Sequence, residues 1–281
     1  MADIKIYAFA DEADEMFDGQ IEALLKNDLQ GIEIRGVDGT NISDITLEKA
    51  REIKEKLDQN GLVCWSIGSP IGKIDIEKDD FEAHIEKFKH TLELAKILGA
   101  FNMRIFSFFM PEGKNPDDYR EEVIKRLNIL CDIAKDYGVT LCHENEKGIY
   151  GDNIERCLDI FQNVKGIKGI FDPANFVQSE VDTLVAWDAL KNNIKYMHIK
   201  DSLKDGNVVP AGKGDGNIPF IANEFIKMGG KDFTLEPHLM DFAGLKGLER
   251  EGDTSEVGKI FTFKDNKEAF CAAADAFKAL I

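Results

Sequence analysis

The chain has 281 residues, and 52 Asp and Glu against 35 Lys and Arg give a formal net charge of −17. Because a polyanion would be repelled by this charge and no basic patch is visible, the composition excludes a nucleic-acid partner. No stretch approaches the roughly 20 apolar residues of a membrane span. The first residues lack the basic and apolar parts of a signal peptide, so we expect a cytoplasmic protein without membrane contact.

Eight short segments rich in β-branched and aromatic residues recur along the chain. Their starts are 27 to 38 residues apart, about the length of one strand–helix unit. The stretches between them carry apolar residues at helical spacing, as at Ile124, Leu127 and Leu130, which indicates amphipathic helices. The predicted strands are Ile4–Phe9, Gly31–Arg35, Val63–Ile67, Phe101–Phe106, Val139–Glu144, Gly166–Phe171, Tyr196–Ile199 and Phe233–Leu235.

Regular alternation of strands and helices predicts a parallel sheet covered by helices. Eight such units without a linker favour closure into one (β/α)8 TIM barrel, with residues 1–281 as a single domain. No Gly-x-Gly-x-x-Gly follows the first strand, so a dinucleotide-binding sheet is disfavoured. The Gly-rich, charged stretch from Asp241 to Gly258 after the eighth strand is predicted to be a loop or lid.

Charged residues stand where the last four strands end. The fifth strand runs into Glu144, the sixth into Asp172, the seventh carries His198 and the eighth runs into Glu236. The carboxyl ends of barrel strands form the active site of such folds, so we expect these side chains to meet. Three carboxylates and one imidazole suit a single Mn²⁺, Mg²⁺, Co²⁺ or Zn²⁺ ion with open positions for substrate. The alternative is that the carboxylates only cap the helices that follow.

At these residues the sequence resembles the xylose isomerase-like barrel superfamily, in particular its sugar phosphate isomerase/epimerase branch. The resemblance covers essentially the whole chain and is carried by "HENEKGIYGD", "FDPANF", "YMHIKDS", "AGKGDGNIPF" and "LEPHL" in this order. It implies metal ligation by Glu144, Asp172, His198 and Glu236. Related epimerases often have His three residues after the sixth-strand Asp, where this chain has Asn175. Asn175 can hydrogen-bond a substrate hydroxyl but cannot shuttle a proton.

The resemblance implies an isomerase or epimerase acting on a sugar or sugar phosphate. In our hypothesis, the metal binds two adjacent oxygens of an α-hydroxy carbonyl sugar and stabilises a cis-enediolate. Glu144 and Glu236 act as base and acid on its two faces, and a metal-assisted hydride shift is the competing route. Two other functions stay open, namely a metal-dependent dehydratase or lyase acting on an inositol or keto-acid derivative and a non-catalytic sugar-binding barrel.

Four further residues are candidates for substrate binding. Lys200 and His238 each stand two residues after a predicted ligand and so share its side of the strand. Lys200 could hold a phosphate or pair with a strand-end carboxylate. Lys73, in "SIGSPIGK", belongs either to a phosphate cradle or to an ordinary loop. Arg104, inside the fourth strand, either contacts substrate or pairs with Glu33. We expect no partner beyond a small-molecule sugar and, by analogy with similar barrels, a second copy in a homodimer.

Overall fold

A computed structural model describes residues 3–244 and 258–281 of the chain. Eight parallel strands lie close to the predicted positions, and we number them β1–β8 in chain order. They are Lys5–Ala8, Gly31–Ile34, Val63–Ile67, Asn102–Ile105, Thr140–Glu144, Lys168–Phe171, Ile194–Ile199 and Asp232–Leu235. Two short antiparallel hairpins extend the loops after β2 and β7, namely Gly36–Val37 with Thr40–Asn41 and Asp201–Ser202 with Val208–Val209.

Each strand pairs in parallel with its neighbour in sequence, and β8 pairs with β1, so the sheet closes into a barrel. The predicted (β/α)8 fold is therefore confirmed. Two strand starts differ by two residues from the prediction. Strand β6 begins at Lys168 because Gly166 has a left-handed φ of 89°, which interrupts extended backbone. Strand β7 begins at Ile194 because this residue already pairs with Gly169.

Nine α-helices, α1–α9 in chain order, are present among the described residues. They are Phe17–Lys26, Leu47–Gln59, Phe81–Leu98, Arg120–Lys135, Ile154–Asn163, Pro173–Gln178, Thr183–Leu190, Ile218–Lys227 and Asn266–Lys278. The side chain of Asp80 caps the first turn of α3, and Gly99, directly after its last residue, has a left-handed φ of 75°. The side chains of Asn115 and Asn153 likewise accept N–H groups of the helical turns that follow them.

Apolar side chains fill the space between strands and helices, as strands covered on both faces require. Inside the barrel, the rings of Tyr7 and Trp65 stack with centroids 4.9 Å apart, and Trp65 meets Tyr196 edge-on at 5.9 Å. This aromatic packing occupies part of the barrel interior. Of the helices in the described parts of the chain, none is long and apolar enough to cross a membrane.

Candidate active site

The structure brings together the four residues predicted as metal ligands. Glu144 ends β5, Asp172 follows β6, His198 lies in β7 and Glu236 follows β8. One ligand atom from each can be chosen so that all four atoms lie within 4.8 Å of one another. All four side chains are buried. The pairing between β7 and β8 contributes to this convergence. Leu235 lies opposite Ile199, so the next residue, Glu236, lies at the same end of the barrel as His198.

Asp172 has two roles that the sequence left as alternatives. Its Oδ1 accepts the N–H of Asn175 at 2.9 Å and so caps α6. Its Oδ2 lies 3.0 Å from Nζ of Lys200, on the side of the other three donors. One carboxylate therefore caps a helix and also faces the cluster.

His198 lies between carboxylates on both sides of its ring. Nδ1 is 2.8 Å from Oε1 of Glu144 and 3.3 Å from Oε2 of Glu236. Nε2 is 3.2 Å from Oε2 of Glu33. Burial alone would lower the pKa of His198, but Glu144 and Glu33 outweigh burial and raise the pKa well above its ordinary value.

Two further cations reach the same carboxylates. Nζ of Lys200 lies 3.4 Å from Oε2 of Glu236, so Lys200 does pair with strand-end carboxylates. Arg104 Nη1 lies 3.2 Å from Glu144 Oε2 and 3.4 Å from Glu236 Oε1. The Glu33–Arg104 ion pair that the sequence suggested is wrong, because the Glu33 carboxylate instead contacts Ser66, Tyr196 and His198.

These cations divide the carboxylates into two electrostatic types. Burial disfavours the charge on Glu144, but His198 and Arg104 hold its pKa at about 2. The pKa of Glu236 is likewise far below its usual value, because Lys200 and His198 outweigh burial. Burial raises the pKa of Asp172 to about 7, with Lys200 opposing the shift. The surroundings therefore favour the charged forms of Glu144 and Glu236, whereas burial disfavours the charge on Asp172.

A second charged cluster surrounds Arg35, the residue after β2. Its guanidinium donates two hydrogen bonds to Asp11, at 2.9 and 3.0 Å, and one each to Glu12 and Glu236 at 3.0 Å. The N–H of His238, whose φ is 45°, donates to Glu12 at 2.6 Å. Glu12, Glu236 and His238 also offer three convergent ligand atoms. The guanidinium contacts all three of these residues and so disfavours a metal ion there.

Aromatic faces hold both arginines in place. The ring of Phe9 lies 4.4 Å from the Arg35 guanidinium carbon and 4.9 Å from that of Arg104. Phe242 packs on Arg35 at 4.7 Å, and Phe106 on Arg104 at 5.0 Å. Such contacts favour cations when they are desolvated. Phe242 belongs to the loop predicted over 241–258, most of which lies outside the described residues.

A cavity of about 210 Å³ opens beside this cluster. Arg35 and Arg104 line it, together with the hairpin loop after β2 and Gly68 and Pro70 from the loop after β3. Lys73 lies further along the latter loop, where it pairs with Glu146 at 2.7 Å and lies 4.5 Å from the centre of the Phe106 ring.

Asn175 is directed toward the ligand cluster by its neighbours. Its Nδ2 donates to the carbonyl oxygen of Asn145 at 2.9 Å and contacts Oε1 of Glu144 at 3.4 Å. The Asn145 side chain in turn exchanges two 3.0 Å hydrogen bonds with the Asp172 backbone. Asn175 therefore lies beside Glu144, in the position that the resemblance assigned to a substrate-binding residue.

Sequence reasoning missed several charged residues at this end of the barrel. Asp11 and Glu12 follow β1 just as Glu144 and Asp172 end later strands, so the strand-end signal was also present there. Asp201, after β7, accepts backbone N–H groups of Gly212, Gly214 and Gly216 at 2.8–3.0 Å. Asp201 thereby organises the "AGKGDGN" loop, whose glycine spacing was the available signal.

A closed parallel barrel with convergent carboxylates and an imidazole at its carboxyl end defines an enzyme-type (β/α)8 barrel. The family model described as xylose isomerase-like TIM barrel matches residues 21–256, and the chain belongs to this family.

Three comparisons show the kinds of protein that this chain resembles. The 2-oxo-tetronate isomerase of Haemophilus influenzae is 31% identical over 101 residues, a match that covers 33% of this chain and 38% of that protein. The probable 3-DHS dehydratase AsbF of Bacillus anthracis has a TM-score of 0.75 and 18% identity, covering 98% of both chains. The IOLI protein, solved with a zinc atom, has a TM-score of 0.73 and 16% identity, covering 99% of this chain and 97% of that chain. The chain thus has the same fold as these two solved structures.

Proposed function

We propose that this protein is a divalent-metal-dependent isomerase or epimerase of an α-hydroxy carbonyl sugar or sugar phosphate. The observation that carries the proposal is the buried convergence of Glu144, Asp172, His198 and Glu236 within 4.8 Å. The similarity to a 2-oxo-tetronate isomerase supports isomerisation as the reaction class.

The donor set fits one divalent ion. Three carboxylate oxygens and one imidazole nitrogen suit Mn²⁺, Mg²⁺, Co²⁺ or Zn²⁺, and a zinc atom is present in one structural neighbour. When bound, the ion would polarise the substrate carbonyl and stabilise the negative charge that develops as the carbon-bound proton leaves. The substrate would approach through the cavity lined by Arg35 and Arg104, whose guanidinium groups contact Glu236 and Glu144.

Glu144 and Glu236 carry the proton transfers in this proposal. Both have lowered pKa values, so each is ionised and able to accept a proton at neutral pH. One of them removes the proton from the carbon between the two substrate oxygens. If the same carboxylate returns the proton to the neighbouring carbon, the product is an isomer. If the other carboxylate delivers a proton taken from solvent to the opposite face of the same carbon, while the first releases its proton to solvent, the product is an epimer.

The surrounding polar residues would bind and orient the substrate. Lys200 and Arg104 already neutralise carboxylates of the cluster and would also offset negative charge on the substrate oxygens. Asn175 and His238 lie beside Glu144 and Glu236 and would hydrogen-bond hydroxyl groups. Lys73, paired with Glu146, would contact the distal end of a longer or phosphorylated substrate.

A dehydratase is the second candidate function. The similarity over 98% of both chains to a probable 3-DHS dehydratase supports it, and proton abstraction next to a carbonyl can begin either reaction. The presence of all four donors weighs against a non-catalytic sugar-binding barrel. We also propose a cytoplasmic protein whose partners are a small-molecule sugar and, in a homodimer, a second copy.

The decisive experiment combines metal analysis with product analysis. Protein purified without chelators is assayed for Mn, Zn, Co and Mg and then incubated in D₂O with a panel of α-hydroxy carbonyl sugars, sugar phosphates and sugar acids. We expect about one ion per chain and a product of unchanged composition that carries solvent deuterium. A product lighter by one water would instead establish the dehydratase. Absence of divalent-ion binding would overturn both metal-dependent functions, and isomerisation without deuterium uptake would contradict the proton-transfer route.

A further inference from the structure

We propose that Glu33 is a positioning residue that holds His198 in one ring orientation and one tautomer, with Nδ1 directed at the metal site. The inference rests on the proposed metal-dependent function. Glu33 lies in β2, on the far side of the imidazole from Glu144 and Glu236, and its side chain is fully buried. Glu33 does not follow a strand end and is not one of the four predicted ligands, so the sequence assigned it no role at the metal site.

Three donors from two other strands converge on the Glu33 carboxylate. Oε1 accepts the hydroxyl of Ser66 at 3.0 Å and that of Tyr196 at 2.8 Å. Oε2 faces Nε2 of His198 at 3.2 Å. With a metal ion on Nδ1, the ring proton of a neutral imidazole stands on Nε2, which can donate it to Oε2 of Glu33. Ser66 and Tyr196 occupy Oε1 and thereby direct Oε2 toward the imidazole.

An irregularity in the sheet places these groups together. Strands β2 and β3 pair Ile32 with Cys64 but Glu33 with Ser66, so Trp65 has no partner residue in the pairing. An extra residue of this kind changes the direction of the side chains that follow it. A regular register would pair Glu33 with Trp65, whose indole packs against Tyr7 instead. The irregular pairing therefore places Ser66 opposite Glu33, where its hydroxyl donates to the carboxylate.

A proton held on Nε2 leaves Nδ1 as the nitrogen that can bind a metal. Nδ1 is the atom that faces Glu144 and Glu236, at 2.8 and 3.3 Å. A carboxylate on the outer ring nitrogen of a ligand histidine fixes the ring and increases the basicity of the inner nitrogen. Phe9 and Tyr196 contact the imidazole edge-on, at 5.1 and 5.6 Å, and restrict its rotation further.

Zinc binding to wild type and to Glu33→Gln tests this role. Affinity is measured by competition with a chromophoric chelator, and the zinc-loaded wild type is also studied by ¹⁵N NMR of its histidines. We expect the His198 resonances to show zinc on Nδ1 and a slowly exchanging proton on Nε2. Glu33→Gln should bind zinc about 10–100-fold more weakly, the usual cost of losing such an outer partner.

Tyr196→Phe is the matched control, because it removes a hydrogen bond from the same carboxylate but leaves Oε2 beside His198. Its zinc affinity should change by only a few-fold. Wild-type zinc on Nε2, or a folded Glu33→Gln with wild-type affinity, would overturn the positioning role. If Glu33→Gln does not fold, the wild-type NMR spectrum alone decides. Failure of wild type to bind any divalent ion would instead overturn the proposed function on which this inference rests.

Discussion

Two buried clusters at the same end of the barrel share Glu236 but differ in what lies at their centres. In the first, Glu144, Asp172, His198 and Glu236 direct ligand atoms at one another across 4.8 Å. In the second, the Arg35 guanidinium already binds Asp11, Glu12 and Glu236 through four nitrogen–oxygen contacts at hydrogen-bond distance. A fixed guanidinium cannot be displaced without leaving several buried carboxylates unpaired.

Convergent donor atoms alone therefore do not define a metal site. Both clusters satisfy the distance requirement for ligands, yet only the first has its cations at the periphery, where Lys200 and Arg104 contact the carboxylates. The second is a charge clamp that joins the loop after β1 to β2 and to the end of β8. Two experiments test this distinction, and two more concern buried charged or titratable groups outside the two clusters.

Replacing a ligand in each cluster should separate them most clearly. Glu144→Gln should weaken divalent-metal binding by more than the roughly 10–100-fold typical of outer-sphere residues, because it removes a direct donor. Glu12→Gln should change the affinity little, since the Glu12 carboxylate is held by Arg35 and by the N–H of His238. Equilibrium dialysis with Mn²⁺ or Zn²⁺ measures both. Similar losses in the two variants would mean that the clamp also takes part in metal binding.

Removing the centre of the clamp should primarily affect folding. Arg35→Leu leaves Asp11, Glu12 and Glu236 without their main counter-charge and should lower the free energy of unfolding by about 3–5 kcal/mol. Urea denaturation measures the change. As a control, Arg120→Leu breaks a pair with Asp159 in which the arginine side chain is 43% exposed, and its midpoint should hardly move. Equal effects would show that burial of the clamp has no energetic consequence.

The carboxylate of Asp201 lies at the same end of the barrel, but it accepts hydrogen bonds from backbone N–H groups and pairs with no cation among the described residues. Asn has one acceptor oxygen where Asp has two, so Asp201→Asn must lose at least one bond from Gly212, Gly214 or Gly216. We expect a loss of about 1–3 kcal/mol and faster amide exchange confined to this loop. Unchanged exchange at the three glycines would contradict the role given to Asp201.

A smaller, pH-dependent effect is expected at His84, outside both clusters. Its Nε2 accepts the N–H of Gly72 at 2.9 Å, and burial, with Lys87 adding to it, lowers its pKa to about 4 from 6.5. Between these values the unfolded chain binds a proton that the folded chain does not, so stability should fall as the pH falls from 6.5 to 4. The contribution approaches about 1.4 kcal/mol per pH unit inside this window.

His84→Gln retains an acceptor for Gly72 but does not titrate in this range. The difference in unfolding free energy between wild type and this variant should therefore vary with pH in the window and become constant above it. Chemical denaturation at a series of pH values measures the difference. A difference that is independent of pH would show that His84 titrates normally in the folded protein.

Much of the fold could be predicted because its signal is local. Strand and helix periods, and the glycine after α3, depend on neighbours a few residues away, and all eight strands lie near their predicted positions. The convergence of Glu144, Asp172, His198 and Glu236 followed from one rule, that parallel strand ends meet at one rim. The metal itself, and the substrate roles of Asn175, Lys200, His238, Lys73 and Arg104, stay predictions.

The partners of buried charges could not be predicted in this way. Arg35 and Glu236 are 201 residues apart in sequence, and Glu33 and Tyr196 are 163 apart. Which of them meet depends on the register between strands and on one unpaired residue, Trp65. The sequence by itself determined the barrel and the rim on which charged residues gather, because side-chain periodicity and strand order follow from local chemistry. Only the tertiary structure decided that Arg35 fills one cluster and that Glu33 orients His198 toward the other, because these contacts arise when closure of the sheet brings distant strands together.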